Sequence, residues 1–238
     1  MRKADYGIDA PGVVRNLFLV GGAALLASAL VAWPIAGVNA RRICFGVGVV
    51  CLLEGASKIV YAEWGKLRHR DRMLAMIPWS GGEIVLDVGT GRGLLAIGAA
   101  KRLTTGTAVG IDIWSPKDLT GNTADAFLAN AEAEGVAERV EVRNGDARRL
   151  PFPDASFDVV LSNVCLHNIA GREGRAEACR EIARVLKPGG VALVSDFERT
   201  FEYARTFEAA GLAVTRTAPR IVDLFPPLRI VRAAKPSP

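Results

Sequence analysis

Ile84-Val85-Leu86-Asp87-Val88-Gly89-Thr90-Gly91-Arg92-Gly93 decides the fold of this chain. A short apolar run closes on an acidic residue, three glycines alternate with other residues, and Leu94 to Leu103 then reads as a helix. Strand, glycine turn and helix in that order form a unit suited to a nucleotide-like ligand. Gly89 and Gly91 permit a tight turn with close backbone approach, and Gly93 lets the new helix lie near the strand. The pattern is D-x-G-x-G-x-G rather than the dinucleotide G-x-G-x-x-G, which makes a pyrophosphate binder the weaker reading.

The same arrangement recurs downstream. Asp112 closes the apolar run Ala108-Val109-Gly110-Ile111, 25 residues beyond Asp87, where an acidic residue accepts hydrogen bonds from a ribose in such folds. Gly145-Asp146-Ala147 follows the β-rich Val140-Glu141-Val142-Arg143. Helical spacing marks Thr120 to Glu134, Arg172 to Leu186 and Thr200 to Ala210. Strand candidates alternate with them: Ile84–Leu86, Ala108–Ile111, Val140–Arg143, Val159–Leu161 and Val191–Ser195, with Ala213–Thr217 and Leu228–Ala233 as a final pair. Lys187-Pro188-Gly189-Gly190 carries basic, proline and glycine stop signals together and predicts the end of the third helix. The expectation is a Rossmann-like, doubly wound, mostly parallel seven-stranded α/β sheet with polar strand ends along one edge.

On Leu86-Asp87-Val88-Gly89-Thr90-Gly91, Gly110-Ile111-Asp112, Gly145-Asp146-Ala147, Leu150-Pro151-Phe152, Ser156-Phe157-Asp158-Val159-Val160 and Leu186-Lys187-Pro188-Gly189-Gly190, the chain resembles a known family. It is the class I S-adenosylmethionine-dependent methyltransferases, in their ubiquinone/menaquinone-biosynthesis-like (type 11) group. The resemblance runs from about Ile84 to Val194. It implies S-adenosylmethionine as cofactor: Asp87, Gly89, Thr90 and Gly91 receiving the methionine part, Asp112 the ribose hydroxyls with Ile113 beside it, and Gly145, Asp146 and Ala147 the adenine. An acidic strand end suits a cofactor that carries a sulfonium and an ammonium. Against each aspartate stands the ordinary reading of a helix cap or turn former. In the same family the loop after the fourth strand, here Ser162-Asn163-Val164-Cys165-Leu166-His167-Asn168, faces the methyl group and the substrate. Asn163 is either a cofactor contact or a strand-end turn former, and His167 is either a general base or a residue that orients its loop. Direct transfer needs alignment rather than a covalent nucleophile, so Cys165 is not expected to attack. Trp114 is read as a lid or stacking residue or as plain packing, and Asp223 to Leu228 as the rim of a lipophilic pocket or as surface.

Before this domain the composition changes. Leu17 to Val38 is 22 residues without a charge, long enough to cross a bilayer core of roughly 30 Å. Ile43 to Val60 is a second apolar run, interrupted by Glu54 and Lys58 four residues apart. Asn39-Ala40-Arg41-Arg42 between them predicts a tight hairpin turn. Arg2, Lys3 and Arg15 before the pair, with Lys66, Arg68, Arg70 and Arg72 after it, outnumber the two turn arginines. The positive-inside bias therefore predicts a multi-pass membrane protein whose catalytic domain faces the cytoplasm. A cleaved signal peptide is the lesser reading, because the apolar stretch exceeds the usual 7–15 residues, and helices buried in a soluble oligomer are another. Gly21, Gly22, Gly46, Gly48 and Gly55 allow close helix pairing in either case. Residues 1–65 are thus assigned to an anchor, with spans at about 17–38 and 43–60, and residues 66–238 to one catalytic domain.

The net charge of +5, from 30 basic and 25 acidic residues, sits largely beside the apolar runs. No basic stripe interleaved with aromatics is present, so nucleic acid is not the expected partner. The four cysteines lack C-x-x-C metal spacing, and no metal is expected. The resulting expectation is transfer of a methyl group to a small-molecule or lipid-like acceptor at a membrane, with the oligomeric state open. A non-catalytic anchored scaffold and a protein or RNA methyltransferase are the alternatives. An Asn-Pro-Pro-Tyr/Phe type signature is absent after the fourth strand, which ranks the last reading lowest.

Overall fold

The computed structural model describes residues 3–30, 33–219 and 227–237, with only the helical backbone over 33–37. Two long helices, α1 (Pro11–Leu30) and α2 (Trp33–Val60), come first. A π-helical turn (Tyr61–Gly65) joins α2 to α3 (Lys66–Leu74), so the backbone stays helical from Trp33 to Leu74. Then follow β1 (Ile84–Val88), α4 (Leu94–Ala100), β2 (Thr107–Asp112), α5 (Ala124–Ala133), β3 (Val140–Asn144), β4 (Phe157–Asn163), α6 (Arg172–Val185), β5 (Leu186–Asp196), α7 (Thr200–Ala209), β6 (Ala213–Arg216) and β7 (Arg229–Ala234).

The strands form one sheet in the order β3-β2-β1-β4-β5-β7-β6. Every pairing is parallel except the two made by β7, whose register runs Val191↔Ala234 against β5 and Ala213↔Ala234 against β6. This is the expected seven-stranded, mostly parallel sheet. The strand order reverses between β1 and β4, and ligands in open α/β sheets bind beside such a switch at the carboxyl ends. Both faces are covered. Leu86, Val160, Ile182, Tyr203 and Phe207 pack one core with α6 and α7. Met73, Leu74, Leu95, Ile97 and Phe127 pack the other with α3, α4 and α5. Burial on both faces explains why β1 and β2 read as continuous apolar runs rather than as alternation.

Local chemistry moves several predicted boundaries. α5 starts at Ala124 rather than Thr120, because Thr123 is extended and its side chain accepts the Ala126 N–H at 3.1 Å. Lys187 to Gly190 belongs to β5 instead of preceding it. Leu186 already has extended dihedrals and pairs with Phe157, and a register irregularity between Phe157 and Val159 absorbs the extra residues.

The N-terminal hairpin needs the larger correction. Residues 39–42 are helical within α2, which is already helical from Trp33, while α1 ends at Leu30; residues 31–32 lie outside the described residues. Pro34 is the missed signal, since proline is tolerated in the first turn of a helix, where its absent N–H costs nothing, and not in its interior. The predicted first span, 17–38, therefore straddles two helices. α1 and α2 pack closely through small residues: a Cβ on Gly21 would meet Leu52 at 2.9 Å, one on Gly48 Leu25 at 2.7 Å, and one on Gly55 Phe18 at 3.0 Å. Both helices are long and apolar enough to cross a membrane, with 17% and 11% of their apolar windows buried. Within one chain they are not core helices.

Lys66, Arg70 and Arg72, counted above as juxtamembrane charges, have folded partners. Lys66 is buried against the N-terminal segment, Arg70 pairs with Asp71, and Arg72 donates to Thr217 Oγ1. The N-terminal segment itself returns to the sheet domain: Asn130 holds Asp5, Thr120 bonds Ile8, and Ala10 donates to the Asp118 carbonyl. Residues 5–10 thus pack with the sheet domain from which the sequence separated them.

Candidate active site

A cavity of about 480 Å³ opens where β1, β2 and β4 end, between their carboxyl ends, the N-terminal segment and α3. All ten residues expected to bind the cofactor line it: Asp87, Gly89, Thr90, Gly91, Asp112, Ile113, Gly145, Asp146, Ala147 and Asn163. Each acidic strand end has a distinct environment.

Asp87 is 2% exposed. Its Oδ2 accepts from Thr90 Oγ1 at 2.8 Å and from the Ala96 N–H at 2.9 Å, so it ties the glycine turn to the first turn of α4. Burial raises its pKa to about 7, against the lowering effect of those two hydrogen bonds. Among the described residues no donor reaches Oδ1. Asp112 shapes the same turn from the next strand, accepting from the Gly91 N–H at 2.8 Å and the Trp114 N–H at 2.7 Å, with Asn122 at 3.4 Å. A carboxylate has about four lone-pair sites, so one remains for a ligand. Asp146 is the most solvated and is already engaged: Arg148 chelates it through Nε and Nη2 and holds its pKa below the usual range. An adenine amino group reaching Asp146 competes with that guanidinium.

The glycines are required by contact. A Cβ on Gly89, whose φ is +71°, would stand 2.1 Å from Cys165 Sγ. Desolvation most, and then the carboxylates of Asp112, Asp196 and Asp87, push the pKa of this half-buried thiol up from the ordinary value. A neutral thiol is no nucleophile, in line with the expectation. Two buried amide oxygens at this site, Asn163 Oδ1 and Asn122 Oδ1, have no hydrogen-bond partner among the described residues. Both side chains line the cavity. Unpaired buried acceptors are costly, and a ligand with amine and hydroxyl donors satisfies them. Carboxylates, orphan acceptors and a turn with no room for side chains fit S-adenosylmethionine, which brings an ammonium, a sulfonium and a ribose diol.

His167 stands apart from the others. The cavity wall includes Cys165 and Asn168 and omits it. Its Nδ1 lies 3.0 Å from Asp196 Oδ1, its ring meets Phe197 at 4.6 Å between centroids, and Asp196 also accepts from Tyr203 at 3.3 Å. Trp114 is also not among the residues of the cavity wall, and its indole N–H bonds Asn144. Of the proposed rim, Asp223 to Leu228, residues 223–226 lie outside the described residues, and Leu228 is buried.

Sequence reasoning missed one wall altogether. Tyr6, Asp9 and Lys66 line the cavity. Lys66 is 2% exposed, donates to the carbonyls of Tyr6 (3.2 Å) and Gly7 (2.8 Å), and lies 2.9 Å from Asp9 Oδ2. A lysine following an apolar helix carries no local mark that distinguishes an interfacial charge from a buried clamp.

Comparison with known proteins shows what the chain is similar to. Residues 86–194 match the model of a methyltransferase domain family. Over 153 residues the chain is 38% identical to a demethylmenaquinone methyltransferase of Tropheryma whipplei, covering 63% of this chain and 56% of that protein. A 27-O-demethylrifamycin SV methyltransferase of Amycolatopsis mediterranei is 38% identical over 138 residues, covering 57% of this chain and 46% of that protein. The chain thus spans about half the length of the curated relatives it matches. Among solved structures, a geranyl diphosphate C-methyltransferase of Streptomyces coelicolor superposes with a TM-score of 0.60 at 14% identity, covering 76% of this chain and 84% of that one, a likeness of fold.

Proposed function

We propose that this chain, whose residues 86–194 match a methyltransferase domain family, is a membrane-anchored class I S-adenosylmethionine-dependent methyltransferase of the ubiquinone/menaquinone-biosynthesis type that methylates a small, lipid-like acceptor. The observation that carries this reading is the joining of the cavity wall to the two apolar helices. Asp9 precedes α1, and Lys66 follows α2 and its π-turn. An acceptor concentrated in a bilayer then meets the cavity beside the helices that enter that bilayer. The quinone and rifamycin named for the relatives are small molecules with hydrophobic parts, which supports an acceptor of that kind.

S-adenosylmethionine supplies an electrophilic methyl group on a cationic sulfur. The chain's residues bind and orient it: Asp87, Gly89, Thr90 and Gly91 at the methionine end, Asp112 and Ile113 at the ribose, Asp146 and Ala147 at the adenine. The Asp196 carboxylate keeps the proton of His167 on Nδ1, which leaves Nε2 as an acceptor for a proton released by a hydroxyl or activated carbon. His167, outside the cavity wall but flanked in its loop by the wall residues Cys165 and Asn168, is the proposed general base for an acceptor seated at that margin of the cavity, and Asp196 positions it. The cytoplasmic side is the proposed location of the domain, where the cofactor is made.

The test is incubation of detergent-solubilised protein with methyl-labelled cofactor and a total membrane-lipid extract. Label is expected in the organic phase, lost in Asp112→Ala and reduced at least tenfold in His167→Ala. Cofactor binding by calorimetry without label transfer to any lipid, protein or RNA fraction would instead favour a non-catalytic scaffold.

A further inference from the structure

The pocket-bearing edge of the sheet carries a second feature that the reaction does not use. Lys66, the first residue of α3, lines the cavity, and α2 with its π-turn runs directly into it, so α2 joins the domain at the cavity side. α1 departs from that side as well, since Asp9 lines the cavity. On the same edge Phe197 follows the end of β5, Phe201 stands in the first turn of α7, and Arg216 ends β6, which runs parallel to β5 because both are antiparallel to β7. Phe201 is 55% and Phe197 40% exposed, and Trp64, in the π-turn between α2 and α3, is 67% exposed. Two guanidiniums converge on the Phe201 ring, Arg205 at 4.5 Å and Arg216 at 5.2 Å from its centroid. Neither arginine has a carboxylate partner among the described residues.

We propose that Phe201, Arg205 and Arg216 form a docking site for anionic phospholipid headgroups, which seats the cavity-bearing edge on the bilayer surface. Two like charges sharing one exposed aromatic ring repel each other, and an anion between them removes that cost. An aromatic ring beside paired arginines suits the headgroup level of a membrane, where the ring is apolar and the cations meet phosphate. Trp64 places a second aromatic at the point where the helices enter. Phe197 continues the patch to His167, and the next residues of that loop line the cavity. An acceptor in the headgroup layer then has its route to the base along these rings. This inference rests on the membrane reading given above.

The experiment uses the full chain in nanodiscs of phosphatidylcholine with or without phosphatidylglycerol, with p-benzoylphenylalanine replacing Phe201, Leu26 of α1 or Ile84 at the opposite edge. After irradiation, lipid adducts are expected at positions 26 and 201 and not at 84. The yield at 201 is expected to fall at least about fivefold without phosphatidylglycerol or with Arg205→Glu and Arg216→Glu, the effect of a basic side chain at an anionic surface. Adducts at 26 with none at 201, yields at 201 indifferent to lipid charge, or cross-links at 201 to a second copy of the chain would overturn the docking site and leave the anchor standing. Adducts at neither 26 nor 201 would overturn the membrane reading together with it.

Discussion

Asp87 carries the cost of the cofactor site before any ligand arrives. Its folded pKa, near 7, lies above the unfolded value of 3.8, so the protonated acid is the form the fold prefers. The contribution to stability is fully present below about pH 3.8 and is lost as pH rises to about 7. Linkage puts the loss on the order of 4 kcal/mol. Acidifying the ligand-free protein from pH 7.5 to 5 is therefore expected to stabilise it, and Asp87→Asn is expected to remove most of that dependence in denaturant melts at the two pH values. Cofactor binding has the opposite dependence. A cationic ligand favours the carboxylate, so affinity is expected to rise with pH from 6 to 8, by at most about tenfold per unit, with release of a proton. Calorimetry across that range checks it, and a flat wild-type profile would contradict the assignment. The three acidic strand ends were legible in the sequence, whereas the Asp196–His167 pair was not. Asp196 lies 29 residues from His167, and only the pairing of β4 with β5 makes them neighbours.

The elements that matter most for the cavity wall are the N-terminal segment and α3. Burying the Lys66 ammonium is costly, and it is offset by Asp9 and by two carbonyls of the segment it retains. Lys66→Met is expected to release that segment. The amides of Ile8 and Ala10, now bonded to Thr120 and Asp118, should exchange at least tenfold faster, while those of β1 and β4 stay protected. Hydrogen exchange by mass spectrometry measures both, and unchanged protection at residues 8–10 would argue against the clamp. Periodicity located α4 to α7 because their apolar faces repeat locally. It misplaced the α1–α2 break, because the residues at 39–42 have no helix stop and Pro34 was not read as a helix start.

At the scale of the molecule, the apolar hairpin and the sheet domain share a wall. Deleting residues 1–60 is expected to leave the seven-stranded sheet, whose two cores are formed mainly by residues beyond Met73, and to make the chain soluble without detergent. The same deletion removes Tyr6 and Asp9 from the cavity and should weaken cofactor binding at least tenfold. Calorimetry on the truncated and full chains compares them; equal affinity would separate the anchor from the site.

Alternating apolar runs and helical faces, together with glycines that no side chain can replace, determined the doubly wound sheet and its ligand-bearing edge from the sequence alone, because those signals act between residues close along the chain. The sequence also determined that two stretches are apolar enough to span a membrane. Tertiary structure alone decided that Lys66 is a buried clamp, that Asp146 is held by Arg148 while His167 leans on Asp196, and that the hairpin leaves from the cavity side. These depend on which distant segments share space, and a charge or a ring has the same letter whether it meets solvent, lipid or a partner brought to it by the fold.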